Sequence, residues 1–156
     1  MNQDFKELLA AFNAEKVKYL VIGGYAVIKY TEPRYTKDLD LWVSVKNDNP
    51  IRVYRALKQF GAPLTDLSPK DFSQKGFFYT LGMVPRRVDI LFDATVLDFD
   101  ECWERRVESD IGGVMIYFIS ASDLIINKEA VGRFQDLADV EKLRIAQERV
   151  IKRESQ

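Results

Sequence analysis

In the run "KDLDLWV", Asp38 and Asp40 flank Leu39, and thirteen residues separate Asp38 from the adjacent pair Gly23-Gly24. Residues two apart in a strand project from one face, so the two carboxylates would stand together while Leu39 and Leu41 turn into a core. Like charges a few ångströms apart repel, and a divalent cation relieves that repulsion. Taken alone, Asp-x-Asp equally describes an edge strand whose polar face meets water. Asp89, in "RRVDILF", is a further acid inside an apolar run where strand propensity disfavours it. If that run lies beside "LDLWV", three carboxylates converge, enough to bind Mg²⁺ and position an attacking hydroxyl.

Gly23-Gly24 ends the apolar, β-branched run "VKYLVI" and opens a helical one, "GYAVIKYT". A strand-to-helix turn without side chains lets phosphate oxygens reach backbone N–H groups at a helix N-terminus. Such a turn facing an oxygen-only cation site suits phosphoryl or nucleotidyl transfer, where catalysis is mainly positioning and charge neutralisation. Composition removes the alternatives. The sequence has no histidine and one cysteine, Cys102. That excludes Ser-His-Asp and Cys-His catalysis, zinc sites of ordinary composition and a disulfide framework. Any metal must be held by oxygen, which means Mg²⁺, Mn²⁺ or Ca²⁺. Cys102 itself reads as a small, partly buried side chain.

The elements that must position these residues follow from periodicity. Residues 3–15 place Phe5, Leu8, Leu9 and Phe12 at helical spacing. "VKYLVIGG", "LDLWVSV", "GFFYTLG", "RRVDILFD" and "VMIYFI" read as strands, the third and fourth joined around residues 82–85. "IRVYRALKQFG" has helical periodicity and a C-cap glycine, Gly61. Ser120, three residues before Asp123, starts another helix, and "DLADVEKLRIAQERVIKRE" closes the chain with Leu137, Val140, Leu143 and Val150 along one side. Phe77, Phe78 and Tyr79 read as core. The expected fold is α+β, a small mixed sheet with helices packed on one face.

With 156 residues, 47% of them hydrophobic, the chain reads as one domain able to bury a core. Net charge is −1, so no whole-protein attraction to nucleic acid exists, although Arg86-Arg87, Arg105-Arg106 and the stretch from Lys142 to Arg153 are local basic clusters. No run approaches a membrane span and the N-terminus lacks a signal pattern, so the expected setting is cytoplasmic, without a membrane partner.

The order "VIGGYAV", then "DLDL" with thirteen residues between Gly24 and Asp38, then a later "VDIL" resembles the nucleotidyltransferase superfamily with the DNA polymerase β-type palm. The likeness spans about residues 19–92. "DLIINKEAVGRFQDLADVEKL", residues 123–143, is similar to the helical segment of minimal nucleotidyltransferases of the AbiEii-like, toxin-related branch, with Lys128, Arg133, Asp136 and Asp139 matching its Lys, Arg and Asp-x-x-Asp. "PRYTKDLD" also looks like that branch's approach to its Asp-x-Asp. The resemblance implies a palm over about 1–119 and a helical segment over about 120–156. It implies that Gly23 and Gly24 hold a triphosphate and that Asp38 and Asp40 ligate Mg²⁺ (or Mn²⁺). Asp89 would ligate metal or act as base. Lys128 would neutralise phosphate, against the plainer alternative of a surface lysine; Arg133 would orient Asp136 or contact phosphate, against a structural ion pair; Asp136 would cap the last helix in preference to a catalytic role. Arg34, Lys37 and Tyr25 are candidates for substrate contact. The implied activity is Mg-dependent transfer of NMP from an NTP to an acceptor hydroxyl. RNA or tRNA would be the acceptor in a toxin–antitoxin or phage-defence setting, with a cognate antitoxin as protein partner. A protein hydroxyl, a small antibiotic acceptor, and a non-catalytic palm holding nucleotide or protein are the alternatives.

Overall fold

The computed structural model describes residues 1–82 and 86–155. The chain runs α1 (Gln3–Ala14), β1 (Tyr19–Ile22), α2 (Gly23–Tyr30), β2 (Leu39–Val43), α3 (Asn49–Phe60), a 3-10 turn (Pro69–Ser73), β3 (Phe78–Leu81), β4 (Val88–Leu91), α4 (Phe99–Glu104), β5 (Val107–Ile111), β6 (Val114–Phe118), α5 (Ala121–Val131) and α6 (Phe134–Glu154). The six strands form one mixed sheet in the order β3-β4-β2-β1-β6-β5. β1 runs antiparallel to β2 and parallel to β6, and β2 runs parallel to β4. The expected mixed α+β fold is therefore present, with β5 an added edge strand.

Register decides what each face carries. Leu39 and Leu41 pair with Val88 and Ile90, and Ile90 pairs with Tyr79, so one face is continuously apolar. Against it, Phe72 of the 3-10 turn sits edge-on to Tyr54 of α3 and to Tyr79. α1 packs on α3 and buries the four residues its spacing selects, Phe5, Leu8, Leu9 and Phe12. On the other face Asp40 pairs with Asp89, and Trp42, two residues on, meets Phe99 of α4 edge-on at 5.1 Å. The sheet thus keeps an acidic end and an aromatic end on the same face.

Local signals terminate the helices as their chemistry requires. Gly61 closes α3 in the left-handed region at φ 97°. Asn2 caps α1 by accepting from the Phe5 N–H, and Ser120 caps α5 by accepting from the Asp123 N–H. Two expectations change. Phe78 is 53% exposed instead of core, because strand alternation buries Tyr79 and turns its neighbour outward. Leu137 and Val150 are also exposed, while Val140 and Leu143 are buried, so α6 touches the body along a narrower stripe than its apolar residues suggest. The expected link between β3 and β4 around residues 82–85 lies largely outside the described residues. No described helix is long and apolar enough to cross a membrane.

Candidate active site

Gly23 follows Ile22, and Ile22 pairs with Asp40 across the β1–β2 ladder. The turn therefore sits against the central carboxylate. Gly23 has φ +68°, and a Cβ built on it would fall 2.1 Å from Asp40 Oδ2. A Cβ on Gly24 would meet Thr36 Cγ2 at 2.8 Å. Both positions require glycine, one for conformation and closeness, the other for closeness alone. α2 begins at this pair with no side-chain cap, leaving its first N–H groups available to a ligand.

Asp38, Asp40 and Asp89 come together. Asp40 and Asp89 are Cα partners on adjacent parallel strands. The Arg87 guanidinium spans the other pair, 2.9 Å from Asp89 Oδ2 and 3.3 Å from Asp38 Oδ2. Thr80 Oγ1 donates to Asp89 Oδ1 at 3.0 Å. Asp40 forms no ion pair among the described residues. Burial first, then repulsion from Asp89 and Asp38, raises its pKa to about 7, against the opposing pull of Lys128 and Arg87.

These residues fit a divalent cation in donor type and in their unmet needs. The donors are all carboxylate oxygens, Asp38 Oδ1 is buried without a hydrogen-bond partner, and Asp40 lacks a counter-charge of its own. As they stand, however, no three or more aspartate, glutamate, histidine or cysteine side chains among the described residues are placed so that they could together hold a metal ion. Arg87 is the cation that partly organises the acids as they stand.

A cavity of about 470 Å³ opens in front of Asp38 and Asp40, lined by Gly24, Arg34, Lys37 and Lys142 among others, while the buried Asp89 is not part of its lining. Tyr25 lies apart from it, lining a neighbouring cavity of about 590 Å³ that shares Arg34, Tyr35 and Thr36. Lys128 is not a surface lysine. Its ammonium is buried between Asp136 Oδ1 at 3.2 Å and Asp139 Oδ2 at 3.0 Å. Asp139, fully buried, also accepts from Arg34 Nη1 at 2.5 Å and from Gln135 Nε2 at 2.9 Å. Arg133 is largely exposed and pairs with Asp136 at 2.7 Å, and Asp136 accepts from the Arg133 N–H, the cap its position suggests. Burial pushes both aspartates up, but the hydrogen bonds from Arg133 and Lys128 to Asp136, and from Arg34 and Lys128 to Asp139, outweigh it and hold both below the usual carboxylate range.

Arg87, Thr36, Thr80, Gln135 and Lys142 complete the surroundings and were not singled out from sequence as site residues. Arg87 had a signal, since it stands two residues before Asp89 on the same strand edge. Thr36 Oγ1, buried without a partner beside Gly24, had none. Cys102 is buried, and its thiol is pushed up to about 12, chiefly by burial, which leaves it inert.

The family model described as "Nucleotidyltransferase of unknown function (DUF6036)" matches residues 1–152. Among solved structures the chain is similar to the lincomycin-bound lincosamide antibiotic adenylyltransferase LnuA, with 17% identity and a TM-score of 0.61 over 92% of this chain and 96% of that one. It is similar to an antigenic nucleotidyltransferase-like protein from Paracoccidioides brasiliensis, with 19% identity and a TM-score of 0.53 over 88% of this chain and 72% of that one. It is also similar to ANT(2″)-Ia in complex with adenylyl-2″-tobramycin, with 14% identity and a TM-score of 0.53 over 96% and 95%. At these identities the likeness is one of fold. No curated protein matches the sequence.

Proposed function

The chain belongs to the DUF6036 nucleotidyltransferase family, and from that membership we propose that it transfers NMP from an NTP to an acceptor hydroxyl in a Mg²⁺- or Mn²⁺-dependent reaction. The observation that carries this reading is the meeting of Asp38, Asp40 and Asp89 beside a glycine turn that admits no side chain. Asp38, Asp40 and Asp89 would hold the divalent ion, which when bound supplies charge neutralisation for the triphosphate. Gly23 and Gly24 offer the open N–H groups of α2 to its phosphate oxygens. The acceptor oxygen bonds to the α-phosphorus, the bond to the bridging oxygen of the β-phosphate breaks, and pyrophosphate leaves with that electron pair. Asp89 takes the hydroxyl proton, and Arg87 and Thr80 hold it in position to do so. Arg34 and Lys37 present positive charge at the cavity wall. Lys128 acts from behind the acids, tied to Asp136 and Asp139, and Arg133 acts through Asp136. Tyr25 belongs to the adjoining cavity and contacts whatever part of a substrate extends there.

The Lys128, Arg133, Asp136 and Asp139 pattern supports the AbiEii-like reading of residues about 120–156, with an RNA or tRNA acceptor, a cognate antitoxin and a cytoplasmic setting where NTP is supplied. A small-molecule acceptor is the second reading, favoured by likeness to LnuA and ANT(2″)-Ia across nearly their whole lengths. Incubation with Mg²⁺ and each α-labelled NTP, with total RNA or an aminoglycoside and lincosamide panel as acceptor, tests both. Label should move to one acceptor class, and Asp38→Ala should abolish the transfer. If no NTP binds, or Asp38→Ala behaves as the parent, the activity is not this one.

A further inference from the structure

A second cavity, about 550 Å³, runs between α6 and the segment that leaves α2, lined by Tyr30, Thr31, Glu32, Pro33 and Arg34 on one side. The α6 side contributes Lys142, Arg149 and Arg153, with Ile145 and Val150 between them. These cations recur at i, i+7 and i+11, so they share one stripe of the helix, rising about 10 Å and then about 6 Å along it. Among the described residues none of the three forms an ion pair. Glu32 is the one acid in the lining. Arg34 and Lys142 line both this groove and the cavity before Asp38 and Asp40, so the two adjoin. At the catalytic end Tyr35 is 75% exposed, a ring with an open face.

We propose that this groove is the track for the backbone of a single-stranded nucleic-acid acceptor, which enters along Arg153 and Arg149 and delivers its terminal hydroxyl to Asp38, Asp40 and Asp89. The inference rests on the nucleotidyltransfer reading of that site and names where its acceptor lies. A row of unpaired cations is complementary to successive phosphates, and on a chain of net charge −1 it is a local feature. Ile145 and Val150 give apolar surface to sugars and base faces, and Tyr35 gives the terminal base a stacking platform. A neutral small acceptor would use the catalytic cavity and leave Arg149 and Arg153 idle.

The test compares the parent with the double variant Arg149→Gln, Arg153→Gln. Both positions are exposed on α6 and outside the catalytic set, so melting temperature should be unchanged. Fluorescence anisotropy with a labelled single-stranded RNA, and with DNA of the same sequence, should show binding by the parent weakened at least about 10-fold in the double variant. The slope of log K against log salt should fall by about 1.4, from about 0.7 per cation on a single strand. NTP binding, followed separately by thermal shift with Mg²⁺, should be equal in the two proteins. Equal strand binding by both, or none by the parent, overturns the proposal even where NTP still binds. So does a sugar monophosphate that competes as well as the strand at equal phosphate concentration, because one phosphate would then suffice. Loss of NTP binding in the parent with strand binding intact would instead remove the transferase reading and leave the groove.

Discussion

Asp40 has the most to gain from a bound cation. Its pKa in the fold is about 7 against the usual 3.8, so ionising it costs free energy that the unfolded chain does not spend. The sign follows directly. The raised pKa favours the fold below about pH 4, and that advantage is lost as pH rises through about 7. Asp136 and Asp139 shift the other way, and their contribution is present above the usual carboxylate range and lost only below it, outside this window. Melting temperatures of the metal-free protein and of Asp40→Asn should therefore diverge between about pH 4 and pH 7, with the variant gaining as pH rises; parallel curves would show that Asp40 is not strained. Gly23 tests the same contact sterically. At φ +68° an alanine costs about 1–2 kcal/mol for the backbone alone, and its Cβ would displace Asp40 Oδ2. Urea denaturation of Gly23→Ala should show at least that loss, and NTP affinity should fall with it. These residues were legible beforehand because their signal is local, two acids two apart and two adjacent glycines. Thr36 was not, since nothing local says which hydroxyl will be left without a partner, and for Arg87 the spacing pointed to Asp89 but not to the bridge it makes to Asp38.

Elements show the same division between local and distant causes. β1, β2, β4 and β6 are apolar runs, and each was readable as a strand. "VESDI" of β5 has three polar residues in succession at the sheet edge and pairs on one side alone, so its composition resembles a loop. α4, six residues long, is too short for helical periodicity to register, and aromatic packing of Phe99 and Trp103 holds it. The attachment of the α5–α6 hairpin is the least legible feature, because Arg34 and Asp139 are 105 residues apart. That tie should dominate the hairpin's stability. Asp139 is wholly buried and answers to Arg34, Lys128 and Gln135, and breaking such a buried pair costs about 3–5 kcal/mol. The exposed Arg144–Glu129 pair, at 2.7 Å, joins the same two helices and is worth about 0–1 kcal/mol, because water screens it. Denaturant midpoints of Asp139→Asn and Arg144→Gln should differ accordingly. Equal losses would mean that apolar packing through Val140 and Leu143, not the buried charges, fixes the hairpin.

At the scale of the whole molecule, the acidic end of the sheet is assembled from parts that each tolerate an unmet need. Two acids share one guanidinium while a third has no ion pair among the described residues, a helix starts without a cap, and two buried oxygens, Thr36 Oγ1 and Asp38 Oδ1, lack partners. In a folded protein such groups are ordinarily satisfied, and each left unmet costs about 1–3 kcal/mol. A ligand bringing a divalent ion and phosphates would satisfy all of them at once, so binding should return this free energy as stability. At a free concentration 100 times Kd, that linkage amounts to about 2.7 kcal/mol. For a chain of 156 residues each kcal/mol moves the melting temperature by about 2–4 °C, so Mg²⁺ with NTP should raise it by roughly 5–11 °C. The components should be interdependent: NTP with chelator should do far less than NTP with Mg²⁺, because the acids repel a bare triphosphate. Asp38→Ala and Asp89→Ala should abolish the joint shift while leaving the apolar face of the sheet intact. A full shift retained in either variant would place the nucleotide elsewhere on the molecule and detach the glycine turn from the acids it touches.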